Sequence, residues 1–225
     1  MSAPQIEEFG DATLILGDSR EVLPTVNGDR VVTDPVWPNC PPGADIHGAR
    51  DPGPLFAAIM SSLPARVVSC VLVMRNDSDP RFLADVPARF PFCQAAWLPY
   101  ALPSYLGRVL GGNEIAYCFG RHIPSRIGAR VVPSIGPKAQ PNDRPANGHP
   151  MSRALVHFDW LVHWWSLPGE TVIDPYMGSG TTGVAALKAG RKFIGIDSDP
   201  RWFDLARRRI ESELRQGCLL RGSQP

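Results

Sequence analysis

Short apolar runs alternate with longer amphipathic stretches along most of this chain, and the alternation predicts its secondary structure. Five runs in the first half have the length and composition of buried strands. They are Ala12–Gly17, Arg30–Asp34, Arg66–Met74, Cys93–Leu98 and Glu114–Phe119. Leu55–Leu63 and Pro80–Val86 are predicted to be helices. The segment between the first two runs is long enough for a crossover, so we expect a compact βαβ unit there.

The second half continues the alternation with clearer helical periodicity. A helix with one apolar face is predicted from Ser152, a favourable N-cap residue, to the Pro168-Gly169 pair. Further elements are the strand Glu170–Asp174, the helix Thr181–Ala189, the strand Phe193–Ile196 and the helix Pro200–Leu214. On that last helix, three consecutive arginines are expected on the exposed side: Arg207, Arg208 and Arg209. Strands alternating with helices predict an α/β fold whose parallel sheet is covered on both faces.

Length and composition indicate one globular domain over residues 1–225. With 44% hydrophobic residues, a chain of 225 residues can bury a single core. No apolar run approaches the roughly 18 residues of a membrane span, and Met1–Gly10 lacks the apolar stretch of a signal peptide. The five cysteines are too widely spaced for a zinc site or a disulfide framework, which favours reduced thiols in a cytoplasm.

Charge is distributed unevenly along the chain. The net charge of +1 argues against a strongly cationic nucleic-acid coat. Residues 121–153 nevertheless contain six basic residues and one acidic residue. Six prolines between 124 and 150 exclude a long helix or an interior strand in this segment. We therefore interpret 121–150 as a Pro-rich basic loop that contacts an anionic partner, or as a basic loop that is simply solvated.

The segment Asp174–Gly183, DPYMGSGTTG, lies between a predicted strand and a predicted helix. Gly178, Gly180 and Gly183 fit the spacing G-x-G-x-x-G, in which glycines permit a tight turn and a close approach to a ligand at a helix N-terminus. Asp197 ends the next predicted strand, where a carboxylate accepts hydrogen bonds from ribose hydroxyls. Together these features predict a cofactor that carries adenosine.

The position of this glycine loop in the chain argues against a dinucleotide. Only 42 residues follow Gly183, too few for the remaining strands of a two-half nicotinamide fold. A circularly permuted sheet, with its catalytic strand early in the chain, accounts for the late loop. A second motif does follow an early strand: Thr33–Trp37, TDPVW, places a carboxylate, a proline and an aromatic ring at the carboxyl edge of the sheet. Ligands of open α/β folds bind at this edge.

The two motifs resemble those of the amino-directed DNA methyltransferases, in the permuted (beta-type) class that methylates adenine N6 or cytosine N4 with S-adenosyl-L-methionine. The family's catalytic tetrapeptide is Asp/Asn/Ser-Pro-Pro-aromatic, and Asp34–Trp37 matches it except at Val36. Its cofactor motif, Asp-Pro-Phe-x-Gly-Ser-Gly-Thr-Thr, is matched by Asp174–Thr182 with Tyr176 in place of phenylalanine. The resemblance implies a Rossmann-like sheet with helices on both faces and the catalytic motif before the cofactor motif.

The resemblance also implies the residues of the cofactor site. The acid of Leu16–Ser19 resembles the one that meets the cofactor's adenine, and Gly195–Asp197 resembles the strand end that holds the ribose. The implied cofactor residues are Asp18, Asp174, Pro175, Tyr176, Gly178, Ser179, Gly180, Thr181 and Asp197. His149-Pro150 begins a segment similar to the family's His-Pro-x-x-Lys-Pro, with Arg153-Ala154 in place of Lys-Pro. No metal is implied.

For catalysis, the resemblance implies three residues and a flipped base. The Asp34 carboxylate and the Pro35 carbonyl would accept hydrogen bonds from the target amino group and stabilise the charge that develops on it. Trp37 would stack on a base extruded from double-stranded DNA. Asp rather than Ser at the start of the tetrapeptide favours adenine over cytosine. A carbon-5 cytosine methyltransferase is disfavoured because no cysteine follows a proline.

Several alternatives remain open on the sequence. They are an N4-cytosine DNA methyltransferase, a methyltransferase for RNA or a small molecule, and a catalytically silent protein that binds the cofactor or DNA. Pro38–Pro54 is expected to fold over the flipped base, with His47 or Arg50 as phosphate contacts or as plain surface residues. A homodimer is possible, since 121–150 is short for a target-recognition domain.

Overall fold

A computed structural model describes residues 4–40, 48, 50–101, 104–106, 109–111, 113–121, 133–143, 148–149 and 151–221. The strands are β1 (Gln5–Phe9), β2 (Ala12–Leu16), β3 (Arg30–Thr33), β4 (Ser69–Arg75), β5 (Phe92–Leu98), β6 (Ser104–Leu106), β7 (Val109–Gly111), β8 (Glu114–Gly120), β9 (Thr171–Asp174) and β10 (Lys192–Asp197). The α-helices are α1 (Ser19–Val22), α2 (Pro52–Ser61), α3 (Leu155–Trp165), α4 (Thr181–Lys188) and α5 (Pro200–Arg221).

Eight strands form one mixed sheet in the order β1-β2-β10-β9-β3-β4-β8-β5, and β6 and β7 form a separate antiparallel pair. The five central strands, from β2 to β4, are parallel, whereas β1, β8 and β5 run antiparallel to their neighbours. The prediction of a parallel sheet is therefore correct only for its middle. At one edge the reason is local, because the two-residue connection Gly10-Asp11 between β1 and β2 can join only antiparallel strands.

The predicted βαβ unit is wrong in one respect: β2 and β3 are not neighbours. β10 and β9, which come late in the chain, lie between them. β9 pairs in parallel with β3, with Ile173 opposite Val31. As a consequence, the segments that follow β3 and β9 begin side by side at the same edge of the sheet, although they are about 140 residues apart in the sequence.

Alternate side chains of the central strands enter two apolar clusters, one on each face. Val32, Val71 and Val172 pack in the cluster with α3, α4 and α5. Val31 and Ile173 belong to the opposite cluster, which contains the buried residues of α1 and α2. Each fully buried side chain of this size contributes about 1.5–3 kcal/mol to stability. The predicted α/β architecture with helices on both faces is confirmed.

Most predicted elements are present with ends shifted by a few residues, as for α2, β4 and α5, and two predictions differ in kind. α3 begins at Leu155 with Ala154 at the N-cap and no side-chain cap, so Ser152 is not its N-cap. The Ser152 hydroxyl instead donates to Ser179 Oγ at 3.3 Å, which ties this segment to the glycine loop. The predicted helix Pro80–Val86 is a 3-10 helix over Pro80–Asp85. Among the described helices, none is both long and apolar enough to cross a membrane.

Candidate active site

The carboxyl ends of β2, β3, β9 and β10 surround a cavity of about 520 Å³. Sites for small molecules have volumes in this range. Eleven of the twelve predicted site residues line it, namely Asp18, Asp34, Pro35, Trp37, Asp174, Pro175, Tyr176, Gly178, Ser179, Thr181 and Asp197. Six aspartates and three arginines are among its described lining residues, so carboxylates dominate its charge.

Asp174 joins the two motifs at the centre of the sheet. It is 3% exposed, and its carboxylate accepts hydrogen bonds from Thr33 Oγ1 at 2.6 Å and Thr182 Oγ1 at 2.5 Å. The Tyr176 amide donates to it at 3.0 Å. Burial raises the pKa of Asp174 to about 6, while these three hydrogen bonds oppose the rise. Asp174 therefore holds the end of β3, the glycine loop and the start of α4 together.

Gly178 and Gly180 have positive φ angles of 50° and 77°, which non-glycine residues rarely adopt. A Cβ on Gly180 would lie 2.9 Å from Cβ of Ala206 on α5. Gly180 does not line the cavity. Its lack of a side chain instead allows α4 to pack closely against α5. Gly178 faces the cavity, and its amide donates to Asp197 Oδ2 at 2.8 Å.

Asp197 and Asp18 follow the neighbouring strands β10 and β2. Asp197 accepts one backbone hydrogen bond on each oxygen, from Gly178 and from Asp199, both at 2.8 Å. Burial raises the pKa of Asp197 to about 6. Asp18 is the N-cap of α1, and its pKa is lowered by hydrogen bonds from Arg20, despite partial burial. Asp18 is therefore ionised at neutral pH.

Asp34 directly follows β3, and only one of its two oxygens is paired. Oδ2 accepts from Arg153 Nε at 2.5 Å, whereas Oδ1 is buried and has no hydrogen-bond partner among the described residues. Burial raises the pKa of Asp34 to about 7, and the positive charge of Arg153 opposes this rise. Asp34 is thus a carboxylate with a free acceptor atom that loses its charge close to neutral pH.

Trp37 is buried beneath Arg153. The indole is 2% exposed and donates from Nε1 to the Val73 carbonyl at 3.2 Å. The guanidinium carbon of Arg153 lies 4.1 Å from the centre of the Trp37 ring, within the range of a cation–π contact. Stacking of a base on the face of Trp37 that Arg153 covers therefore requires this guanidinium to move.

Arg153 and Glu114 are functional candidates beyond the predicted site residues: the sequence reasoning counted Arg153 only as part of the basic segment 121–153 and as a departure from the family motif, and it did not select Glu114. Arg153 is 7% exposed and Glu114 is 2% exposed, and Arg153 Nη1 lies 2.9 Å from Glu114 Oε1. Burial opposes the charge of Arg153, but the two carboxylates, Asp34 and Glu114, raise its pKa. The available signal in the sequence was the arginine itself, at the position where the related family motif has lysine.

Arg209 was expected on the exposed side of α5, and that prediction is wrong. Its guanidinium is half-buried and donates to the Ser179 carbonyl and, at 3.3 Å, to Thr181 Oγ1. Burial lowers the pKa of Arg209. The cause is the packing of α5 against α4, which brings this side of α5 next to the glycine loop. Arg209 therefore braces the backbone of the predicted cofactor loop.

His149 and Trp202 form one wall of the cavity beside the glycine loop. Their rings meet edge to face with centroids 4.4 Å apart, and a Cβ on Gly178 would lie 3.3 Å from His149 Nε2. Burial and the nearby charge of Arg153 lower the pKa of His149 to about 4, so the imidazole is neutral at physiological pH. Trp202 Nε1 is a buried donor without a partner in the described part of the chain.

Several predicted contacts fall on other parts of the chain. His47 and Pro150 lie outside the described residues, whereas Arg50 is exposed and lines the cavity. Of the loop 121–150, the structure describes 121, 133–143 and 148–149. Residues 133–139 run along the outer edge of β5 and the residues just after it, where the Trp97 amide donates to the Ser134 carbonyl at 2.7 Å. This edge position is compatible with the prolines of the segment.

Known proteins resemble this chain in sequence. A family model described as DNA methylase matches residues 70–208, which is more than half of the chain. The Type II methyltransferase M2.DpnII of Streptococcus pneumoniae is 38% identical over 68 residues, 30% of this chain and 25% of that protein. The Type II methyltransferase M.BglI of Bacillus subtilis is 38% identical over 72 residues, 32% of this chain and 21% of that protein. The matched stretches span about a quarter of these relatives.

Solved structures resemble the fold. The M1.HpyAVI–SAM complex superposes with a TM-score of 0.65 at 20% identity, covering 88% of this chain and 98% of that chain. PvuII DNA methyltransferase (cytosine-N4-specific) superposes with a TM-score of 0.60 at 19% identity, covering 88% and 86%. The match to the family model, which includes the glycine loop and Asp197, settles the relationship: this chain is a member of the DNA methylase family.

Proposed function

We propose that the protein transfers a methyl group from S-adenosyl-L-methionine to an exocyclic amino group of DNA, with adenine N6 favoured and cytosine N4 as the alternative. One observation carries the proposal. The Thr33–Asp174 hydrogen bond of 2.6 Å joins the end of the catalytic strand to the start of the glycine loop, so both motifs open into one cavity. We propose residues 1–225 as a single methyltransferase domain.

The cavity fits S-adenosyl-L-methionine by charge and by its polar groups. The cofactor supplies an electrophilic methyl group on a cationic sulfur when it is bound. Carboxylates outnumber guanidinium groups in the lining, which favours a positively charged ligand. Gly178 leaves room beside His149, and Trp202 Nε1 provides a buried donor. We propose that Asp197 and Asp18 hold its adenosine part and that the glycine loop holds the remainder.

Asp34 is the proposed catalytic residue. Its buried Oδ1 has no partner among the described residues, so it is available to accept a hydrogen bond from the amino group of the target base. A carboxylate at that position, together with the Pro35 carbonyl, favours the tetrahedral nitrogen that attacks the methyl group. It also stabilises the positive charge that develops there. A desolvated site strengthens this electrostatic effect.

Double-stranded DNA with a flipped target base is the proposed partner. The basic segment 121–150 is the proposed DNA contact, because it concentrates positive charge on a chain of nearly zero net charge. A homodimer would supply further recognition surface, and we retain it as part of the proposal. Since the proposed substrate is DNA, we also propose a cytoplasmic location.

The direct test is incubation of the purified protein with labelled S-adenosyl-L-methionine and unmethylated mixed-sequence duplex DNA, followed by nucleoside mass analysis. N6-methyldeoxyadenosine or N4-methyldeoxycytidine is the expected product, and its identity decides the base. Asp34→Ala should give no product, whereas Asp204→Asn, a change at a half-exposed carboxylate of α5, should behave as the unaltered protein. Methylation of RNA but not of DNA would overturn the proposed substrate.

A further inference from the structure

Arg153 contacts the two groups that the proposed chemistry assigns to the acceptor base, the Asp34 carboxylate and the Trp37 ring. Its Nε donates to Asp34 Oδ2 at 2.5 Å, directly beside Oδ1, the oxygen to which the amino group of the base would donate. Its guanidinium lies 4.1 Å from the centre of the Trp37 ring, where the base would stack. A guanidinium is planar, carries N–H donors at its edge and stacks on aromatic rings. It therefore shares with adenine and cytosine the features that this position recognises.

The Arg153–Asp34 pair is built differently from a permanent ion pair. Arg30 and Glu170 form two parallel hydrogen bonds of 3.0 and 2.9 Å, the geometry in which arginine binds a carboxylate most strongly. Arg153 makes a single hydrogen bond to Asp34 and leaves the other carboxylate oxygen buried without a partner among the described residues. An unpaired buried acceptor is costly, and a donor that reaches both oxygens would relieve this cost.

Glu114 offers the guanidinium a second partner. Glu114 Oε1 lies 2.9 Å from Arg153 Nη1, and Glu114 Oε2 accepts a hydrogen bond from Tyr100 Oη at 2.9 Å. Glu114 is thus held in place independently of Arg153. If Arg153 leaves Asp34, it keeps one buried carboxylate, so its displacement does not require an isolated buried charge.

We propose that Arg153 is a specificity-determining residue that occupies the acceptor-base position until a target base displaces it from Asp34 and Trp37 toward Glu114. That the displacing group is a DNA base rests on the proposed function. The contacts of Arg153 with Asp34 and Trp37 do not depend on it. Because displacement costs free energy, an isolated nucleoside would be excluded. A base held in the site by the contacts of a whole duplex could meet that cost.

The test compares nucleoside binding by the intact protein and by Arg153→Met, which keeps the length of the side chain and removes its charge and donors. Deoxyadenosine and deoxycytidine are titrated by calorimetry, with Arg81→Met, at an exposed arginine, as the control. Arg153→Met should bind one of the two nucleosides at least about tenfold more tightly than the intact protein and the control do. Equal binding by all three proteins would overturn the proposal. This measurement requires no methyl transfer, so it is independent of the outcome for the proposed function.

Kinetics separate displacement from a merely structural role. The assays are run well above pH 7, because loss of the Arg153 charge raises the pKa of Asp34 further. Under these conditions the KM of Arg153→Met for DNA should fall several-fold while kcat changes less, because the competing group is gone. If Arg153 only holds Asp34 in place, kcat should fall and nucleoside binding should not change. Arg153→Lys is the second variant in case Arg153→Met does not fold, since lysine keeps the charge but not the planar group over Trp37. It should bind nucleosides more tightly than the intact protein, and unchanged binding would contradict the proposal.

Discussion

Two buried arginines form ion pairs with carboxylates at opposite ends of β3. The two pairs differ in how many hydrogen bonds the carboxylate receives. Arg30, at the amino end, donates two hydrogen bonds to Glu170 and also contacts Ser69 Oγ at 3.1 Å and the Arg121 carbonyl at 3.2 Å. At the carboxyl end, Arg153 donates one hydrogen bond to Asp34 and leaves Oδ1 of that carboxylate without a partner in the described chain.

The difference separates stability from function within a single strand. Saturated hydrogen bonds around a buried charge recover the free energy of its desolvation, so the amino end acts as a brace. An incompletely paired carboxylate retains capacity for a ligand at a cost in stability. The amino end of the central strands should therefore respond to mutation through folding, and the carboxyl end through binding and catalysis.

The largest expected effect is the loss of methyl transfer in Asp34→Ala. Removal of the proposed acceptor should lower the rate more than about 10²-fold, the usual cost of losing one group that stabilises a transition-state charge. Affinity for S-adenosyl-L-methionine, measured by calorimetry, should stay within about twofold. Glu170→Gln at the other end of the sheet should leave the rate unchanged. Full activity in Asp34→Ala would contradict the proposal that the carboxyl end of β3 serves catalysis.

Arg30→Met should destabilise the fold by about 3 kcal/mol, because it leaves Glu170 without its charged partner in a largely buried setting. Urea unfolding measures this free energy directly. Arg66→Met is the matched control, since Arg66 pairs with Asp29 but its side chain is 68% exposed, and it should cost at most about 0.5 kcal/mol. Similar losses in both variants would show that the amino-end pair is not a brace.

Gly180→Ala should destabilise the protein by about 2 kcal/mol. Part of this comes from a positive φ, and part from the 2.9 Å approach of the new Cβ to Ala206. Gly190→Ala isolates the first contribution, because Gly190 also has a positive φ of 71° but a Cβ there meets nothing within 4 Å. It should cost about 1 kcal/mol. Equal losses in thermal unfolding would contradict the packing role of Gly180 between α4 and α5.

The rate of methyl transfer should depend on the ionisation of Asp34. Burial raises the pKa of Asp34 to about 7, so the accepting carboxylate is present above that pH. It is lost as the pH falls, with kcat/KM decreasing about tenfold per pH unit. Asp174 and Asp197, each with a pKa raised by burial to about 6, would steepen the decrease below pH 6. A pH profile flat from 5 to 8 would contradict the assigned role of Asp34.

The same raised pKa predicts a change in stability of the opposite sign. Between about pH 4 and pH 7 the folded state binds a proton at Asp34 that the unfolded state has released, so this residue lowers stability as pH rises through that window. Urea unfolding of the intact protein and of Asp34→Asn should therefore show a difference that shifts in favour of the variant from pH 4 to pH 7.

Local pattern was sufficient to predict most strands and helices and the two motifs at strand ends. Apolar runs of strand length and the glycine spacing are properties of neighbouring residues, and they survive in any tertiary context that buries them. β1 was missed because its sequence, QIEEF, lacks that signal and its strand lies half-exposed at an edge. The DPVW and DPYMGSG segments could be selected from sequence for the same local reason, since each begins at the end of a buried strand.

Only the tertiary structure decided which segments meet. The insertion of β9 and β10 between β2 and β3, and the antiparallel flanks of the sheet, depend on pairing between residues far apart in the chain. Arg153 lies 119 positions from Asp34, and Arg209 lies 30 positions from Ser179. The amino-acid sequence alone determined which carboxylates, aromatic rings and glycines stand at the ends of the strands. Long-range packing determined that an arginine covers the Asp34 carboxylate, because no local pattern records the partner of a buried charge.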